Sequence, residues 1–242
     1  MGAERPLGIT TPEAHRAPDP PPPAPDEVHV WVANLDPGSA ASPTRFAATT
    51  AAERERASRF HRRDDGDRFL AAHGALRLLL ATYLTCDPLR LRFAVNENGK
   101  PYLEDERLQF NLSHSGDLAL IAVAWSRQVG VDVEQVRPMP DLESVAARVC
   151  TPGELATLAG LADSQRERAF FAMWTRKEAL AKATGEGIGG IVRDARHMPD
   201  EPPDRWTVTE VSDLAGYAAS VAAEGAGWTL VRRDMTDSNG RR

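Results

Sequence analysis

The order of apolar patterns along this chain predicts an α+β fold made of two similar halves. Runs with strand periodicity and windows with helical periodicity follow one another as β, αα, βββ, αα, βββ, so the second part repeats the plan of the first. The 242 residues suit one large domain or two small ones, and 42% hydrophobic with 26% charged residues is the balance of a globular chain with a good core. No repeat is visible residue by residue.

The elements follow in chain order. Residues 1–25 contain APDPPPPAP; proline removes backbone donors and favours polyproline II, so this stretch reads as a disordered or stiff tail. The halves are predicted over 26–126 and 127–233, with a short disordered tail over 234–242. VHVWVANL alternates with period two and reads as a strand. Ala47–Arg59 reads as one helix. Asp65–Leu84 reads as a longer one, since Phe69, Ala72, Leu76, Leu79, Leu80 and Tyr83 recur at helical spacing. LRLRFAV alternates again, and NENGKPYL is a turn built on Asn98-Gly99. LQFNLSHS, LALIAVAW and VGVDVEQV are strands close enough in sequence to predict a meander. Thr151-Pro152-Gly153-Glu154 is a capping box with Pro at the first helical position, so a helix starts there. A further helix is predicted from Ser164 to Thr184, stopped by Gly185. Strands near Trp206–Val211, Tyr217–Ala223 and Trp228–Val231 close the chain.

Charge and cysteine usage narrow the function. A net charge of -6 argues against a general nucleic-acid binder, so an anionic ligand has to be met by a local positive cluster. Cys86 and Cys150 are isolated thiols without zinc spacing, as expected in a reducing compartment, although one structural disulfide stays open. No run of about 18 apolar residues offers a membrane span. Pro, Glu and His interrupt the N-terminus where a signal peptide needs an apolar stretch. The expectation is a cytoplasmic protein.

Five short stretches carry the chemistry. In GVDVE, Asp132 and Glu134 share one strand face, with Cα atoms about 6–7 Å apart, and two such acids bind a hard divalent cation; a solvated face is the plain alternative. In WTRKEALAK, Glu178 and Lys182 are four residues apart on a helix, which by itself describes a surface ion pair. Lysine is scarce, however. Of 29 Lys and Arg residues only Lys100, Lys177 and Lys182 are Lys, so each retained ammonium hints at a need for a compact charge such as one facing phosphate oxygens. In NENGKPYL, Lys100 follows a glycine turn. In NLSHS, Ser113 and His114 end a strand; neighbours on a strand point apart, so contacts to an anion fit better than a nucleophile pair. In RERASRFHRR, Arg56 and Arg59 are spaced to clamp one phosphate.

The order GKP, NLSHS, GVDVE, WTRKEALAK and then GEGI resembles the 4′-phosphopantetheinyl transferases, specifically their large, pseudo-dimeric, Sfp-like class, from about Arg54 to Gly189. The resemblance implies two halves related by a pseudo-two-fold, with one active site at their interface, and so a monomer. It implies transfer of the phosphopantetheine arm of coenzyme A to a serine of an apo carrier protein or carrier domain, releasing adenosine 3′,5′-bisphosphate. Polyketide, non-ribosomal peptide and fatty-acid synthases all supply such carriers; nucleic acid and membranes are not expected partners.

By the same resemblance, Asp132, Glu134 and Glu178 hold Mg²⁺, Glu178 takes the proton of the carrier serine, and Lys182 reaches the pyrophosphate. Asn111, Ser113 and His114 belong to the coenzyme A site, and Gly99-Lys100-Pro101 lies against adenine and ribose. Arg56 and Arg59 face the 3′-phosphate, although Glu53 stands where some members are basic and Phe69 where some carry a hydroxyl. A non-catalytic coenzyme A-binding protein of this fold, or an unrelated Mg²⁺-dependent phosphohydrolase, is the competing reading.

Overall fold

Two three-stranded units with the same connectivity form the frame. The structure is a computed structural model and describes residues 21–36, 38–39, 42–104, 107–185 and 204–235. The predictions for residues 1–20, 186–189 and 236–242 lie outside the described residues. In the first unit β1 (Glu27–Asn34) pairs antiparallel with β5 (Leu118–Trp125), and β5 pairs antiparallel with β4 (Leu108–Ser115). In the second, β6 (Val129–Gln135) pairs with β8 (Tyr217–Glu224), and β8 with β7 (Trp206–Glu210). First strand, third strand, second strand is the order in both. Each unit carries a 22-residue helix, α3 (Arg63–Leu84) in the first and α6 (Asp163–Thr184) in the second. The α+β fold of two like halves is thus the fold of this chain.

Strand alternation sorts the layers. Val28, Val30 and Val32 of β1 and Leu120, Ala122 and Ala124 of β5 meet Val129, Val131 and Val133 of β6 and Val221 and Ala223 of β8, which makes a dry core between the sheets. The opposite face of β5, with Ala119, Ile121 and Val123, packs under α3 residues Ala72, Ala75, Leu76 and Leu79. Across the molecule, α6 residues Ala179, Leu180 and Ala183 cover Ala222 of β8, with Trp206 and Val208 of β7 alongside. A smaller cluster joins α6 to α4 (Leu142–Val149) and α5 (Pro152–Ala159) through Phe170, Phe171, Val149 and Leu158.

Several boundaries differ from the sequence expectation, each for a visible reason. The helix read over Ala47–Arg59 is two, α1 (Ser42–Ala47) and α2 (Ala51–Ala57). Thr50 leaves the helical path to cap α2, and the Glu53 side chain closes the capping box. LRLRFAV gives a 3₁₀ turn at Pro88–Arg90 and a three-residue strand β2 (Phe93–Val95), paired with β3 (Pro101–Leu103). The meander is not formed. β4 and β5 make a hairpin, but Ser126, with φ of 53°, turns the chain out of that sheet and β6 enters the second. The last strand, β9 (Thr229–Asp234), returns to the first sheet and pairs parallel with β1, so the 126/127 division does not contain it. Asp234 and Met235 belong to this edge rather than to a tail; the Met235 amide donates to the Val32 carbonyl at 2.8 Å. The capping box of α5 and the stop of α6 at Gly185, with φ of 76°, match the sequence reading. Among the described residues no helix is long and apolar enough to cross a membrane, and Cys86 and Cys150 are not joined in a disulfide.

One buried polar chain locks β1 to α3. The Trp31 indole Nε1 donates to Tyr83 Oη at 2.8 Å, Tyr83 Oη lies 2.7 Å from His29 Nδ1, and His29 Nε2 lies 3.1 Å from Glu27 Oε2. Every group is satisfied when His29 is neutral with its proton on Nε2. Burial holds its pKa below the usual imidazole value, against the pull of Glu27 and aided by Arg233 of β9. The unfolded chain therefore takes up this proton first. The stability from neutral His29 is complete above its unfolded pKa of about 6.5 and is lost as pH falls from there through the lower folded value. The unfolding midpoint is expected to drop on acidification from about pH 7 to pH 5 more steeply in the wild type than in His29→Gln. Thermal melts across this range check it.

Candidate active site

The two sheets meet along β4 and β6, which are the facing edges of their sheets. No backbone ladder joins them. Alternate side chains of β4 do so instead. Asn111 Oδ1 accepts from the Val131 amide at 2.9 Å, Ser113 Oγ donates to Asp132 Oδ1 at 2.8 Å, and Ser115 Oγ donates to Glu134 Oε2 at 2.8 Å while accepting from the Gln135 amide at 3.1 Å. The strands run parallel across this seam, since both bonds to backbone amides span 20 residues. Buried edge groups need partners, and polar side chains at period two supply them.

Asp132 and Glu134 point away from the valine core, to the side that α6 covers. Gly130 precedes them on that face. A methyl group there would overlap the Ala179 carbonyl and the Ala183 amide of α6, so glycine lets the helix backbone sit directly on the strand. That approach brings Glu178 and Lys182 to the acids. Lys182 Nζ lies 2.6 Å from Asp132 Oδ1 and 2.9 Å from Ser113 Oγ, so its partner is Asp132 rather than Glu178 one turn back. The surface ion pair of the sequence reading is not what forms, and Glu178 is only 3% exposed.

The electrostatics are those of crowded acids. Burial, then the charges of Asp132 and Glu134, push the Glu178 carboxyl up to about 7 despite Lys182. Burial also raises Asp132, opposed by Lys182 and Ser113, and it raises Glu134, opposed by Ser115 and reinforced by Asp132. Asp132 Oδ2 and Glu178 Oε1 are buried with no hydrogen-bond partner. Orphaned carboxylate oxygens of this kind are costly unless something positive meets them. The donors are all oxygen, which fits a hard divalent cation. Among the described residues, no group of three or more His, Cys, Asp or Glu side chains is already arranged to hold a metal; Lys182 supplies the positive charge in this arrangement.

The other candidate residues distribute around this centre. His114 follows Ser113 on the opposite strand face and feels His73 of α3 and Lys182. Arg56 lies over the Phe69 ring at 5.0 Å, and that ring lies 4.1 Å from His73 at a tilt of 36°. Arg59 instead pairs with Glu55 at 2.5 Å in solvent. Glu53 is turned inward, where it caps α2 and receives Arg77 at 2.9 Å; burial opposes its charge, but His73, Thr50 and Arg77 bring its pKa down to about 2. An acid at this position is therefore neutralised within the protein. Lys100 follows Gly99, whose φ is 84°, and precedes Pro101, which opens β3. Its ammonium donates to Gln128 Oε1, Val129 O and Ala183 O at 3.1, 3.1 and 2.9 Å, three bonds for three protons. Burial lowers its pKa to about 8. Lys177 sits apart from the acids, 2.8 Å from Glu154 Oε2 of the α5 capping box. Its role is to tie α5 to α6.

Sequence reasoning passed over Ser115, Gly130 and His73. Ser115 had a legible signal, because Gln109, Asn111, Ser113 and Ser115 alternate as polar residues with apolar Leu108, Phe110 and Leu112. Gly130 had one only in hindsight of the packing.

A carboxylate-and-lysine cluster at the seam of two like α+β halves defines the class of protein, and comparison with known sequences supplies the family. A profile described as the 4′-phosphopantetheinyl transferase superfamily matches residues 128–224, and one described as 4′-phosphopantetheinyl transferase, N-terminal, matches residues 36–126. The chain is 39% identical over 213 residues to the 4′-phosphopantetheinyl transferase HetI of Nostoc sp., covering 84% of this chain and 90% of that protein. It is 32% identical to a 4′-phosphopantetheinyl transferase of Bacillus subtilis, over 66% of this chain and 73% of the relative. It is 30% identical to the 4′-phosphopantetheinyl transferase Sfp of Bacillus subtilis strain 168, over 57% and 60%. The chain belongs to the 4′-phosphopantetheinyl transferase superfamily and is an enzyme of that class.

The Gly130 contact gives a direct check of how the site is built. Gly130→Ala is expected to cost about 1–3 kcal/mol in unfolding free energy, because the added methyl meets helix backbone that cannot step aside. The transfer rate of the folded fraction should fall as well, since α6 is displaced with Glu178 and Lys182. Denaturant unfolding combined with a rate normalised to folded protein measures both.

Proposed function

We propose that this chain transfers the 4′-phosphopantetheine group of coenzyme A to a serine hydroxyl of an apo carrier protein and releases adenosine 3′,5′-bisphosphate. The observation that carries the proposal is the convergence of Asp132, Glu134, Glu178 and Lys182 at the seam, with an orphaned oxygen on Asp132 and another on Glu178. Asp132, Glu134 and Glu178 are the residues that would hold Mg²⁺. When bound, the cation neutralises charge on the pyrophosphate.

The chain's own residues do the rest. Lys182 brings a compact positive charge to the phosphates, with Ser113 beside it as a hydroxyl partner. Glu178 receives the proton of the carrier serine, which is a weak nucleophile unaided. Its buried setting keeps the carboxylate poorly solvated and so a better acceptor. His114 and Arg56 face the 3′-phosphate; Arg59 reaches it only by leaving Glu55. The Gly99-Lys100-Pro101 turn flanks adenine and ribose through backbone, with the Lys100 ammonium retained by the protein. Phosphoryl transfer asks for alignment and charge neutralisation more than covalent help, and this is what such a cluster offers. Polyketide, non-ribosomal peptide and fatty-acid carriers are all candidate acceptors. The protein acts as a monomer, because one chain supplies both halves of the site, and in the cytoplasm, where cysteines outside a disulfide are expected.

The test is incubation with coenzyme A, Mg²⁺ and a panel of apo carrier proteins, read by carrier mass. One phosphopantetheinyl increment is expected, together with its loss on chelation. Asp132→Ala and Glu178→Ala should each slow loading by about 100-fold or more. A near-normal rate for Asp132→Ala at saturating Mg²⁺ refutes the assignment. Release of inorganic phosphate without a carrier points to a hydrolase instead, and coenzyme A binding without transfer points to a non-catalytic relative. Lys182→Ala should raise KM for coenzyme A and lower kcat, with carrier binding little changed; steady-state kinetics with each substrate varied decides this.

A further inference from the structure

Ser115 lies outside the set of residues given a chemical role so far, yet it makes two of the hydrogen bonds that cross the seam. Its Oγ donates to Glu134 Oε2 at 2.8 Å and accepts from the Gln135 amide at 3.1 Å. The first holds a carboxylate of one half from the other half; the second fixes the backbone one residue on. The two acids of β6 differ in what else constrains them. Asp132 is short, 3% exposed, and gripped by both Ser113 and Lys182. Glu134 has one more rotatable bond, is only half buried, and has its carboxylate held by Ser115. A long side chain at a partly open edge samples several rotamers unless a partner selects one. Gly116 follows at once with φ of 54°, and a methyl group there would crowd Gln135 Oε1 and Tyr217 Oη, so the turn that carries Ser115 is itself packed against the second half.

We propose that Ser115 is a positioning residue, which fixes the Glu134 carboxylate in the orientation required of a cation ligand. This rests on the reading of Asp132, Glu134 and Glu178 as the Mg²⁺ ligands. The hydroxyl donates to Oε2 alone, as a group behind a metal ligand does, and Oε1 is the oxygen left for the cation. Asn111 performs the companion task on the backbone, through the Val131 amide, and so sets the register of the acidic strand.

The experiment uses the full chain. Mg²⁺ binding is measured by calorimetry with coenzyme A saturating, and the Mg²⁺ dependence of carrier loading is measured in parallel. Ser115→Ala is expected to weaken Mg²⁺ affinity about 10-fold or more in both readouts, while KM for coenzyme A at saturating Mg²⁺ and the thermal midpoint move far less. Ser115→Thr, which keeps the hydroxyl, should restore affinity. In a Glu134→Gln background, Ser115→Ala should add no further loss of Mg²⁺ affinity. If Ser115→Ala is too unstable to assay, Ser115→Cys removes the strong donor at similar volume and carries the same expectation. Unchanged Mg²⁺ affinity in Ser115→Ala overturns the proposal, as does an equal loss with Glu134 intact or replaced, or failure of threonine to rescue. A wild-type protein that neither binds Mg²⁺ nor needs it for transfer overturns the cation reading itself, and this proposal with it; that outcome is seen in the wild type before any variant is made.

Discussion

Where β4 and β6 run side by side, three polar side chains stand in for a backbone ladder. Two edge strands brought together would ordinarily merge their sheets, and a continuous sheet would leave no room for chemistry between them. Asn111, Ser113 and Ser115 hold the edges at side-chain distance instead. The spacing gives the Val131 and Gln135 amides their acceptors and at the same time puts hydroxyls against Asp132 and Glu134. Had the strands paired directly, those hydroxyls would lie beside the ladder and the acids would lack their partners. The site is a consequence of an incomplete sheet.

The scaffold tolerates crowded acids because its apolar layers are extensive. Three crowded carboxyl groups, two buried and one half-buried, with one ammonium among them form an unfavourable arrangement on their own, visible in the upward shifts of Asp132, Glu134 and Glu178. Core valines of β6 on one face and the close approach of α6 over Gly130 on the other leave Asp132 and Glu178 little room to swing out to water. Strain of this sort persists where surrounding packing over-determines it, and functional sites are where it is found. A group of opposite charge arriving at such a cluster would relieve it.

The three lysines show what kind of position this chain reserves for a compact ammonium. Each sits at a junction between elements: Lys182 joins α6 to β6 and β4, Lys100 joins the β2–β3 hairpin to the start of β6 and the Ala183 carbonyl of α6, and Lys177 joins α6 to the α5 cap. A guanidinium is planar and wide and makes its bonds in a fork, whereas an ammonium is a point charge that meets acceptors arriving from different directions, as the three around Lys100 do. Scarcity of lysine in the sequence therefore marked tight internal positions. It did not separate the lysine beside the acids from the two that only fasten the frame.

Local pattern by itself determined which faces carry which residues. Period two on β6 put Asp132 and Glu134 opposite the valines, helical spacing put Lys182 one turn past Glu178, Thr151 and Glu154 announced α5, and Gly185 ended α6. The five motifs and their order were enough to point to the family. Tertiary structure alone decided the partners. It sent β6 out of the meander and β9 back to β1, gave Lys182 to Asp132 rather than to Glu178, spent Lys100 on Gln128 and the carbonyls of Val129 and Ala183, buried Glu53 against Arg77, and set Ser115 against Glu134. Periodicity says which side of a strand or helix a residue occupies, because that follows from backbone geometry a few residues long. Which surface that side meets depends on how all the apolar faces are buried together, and that is a property of the whole chain.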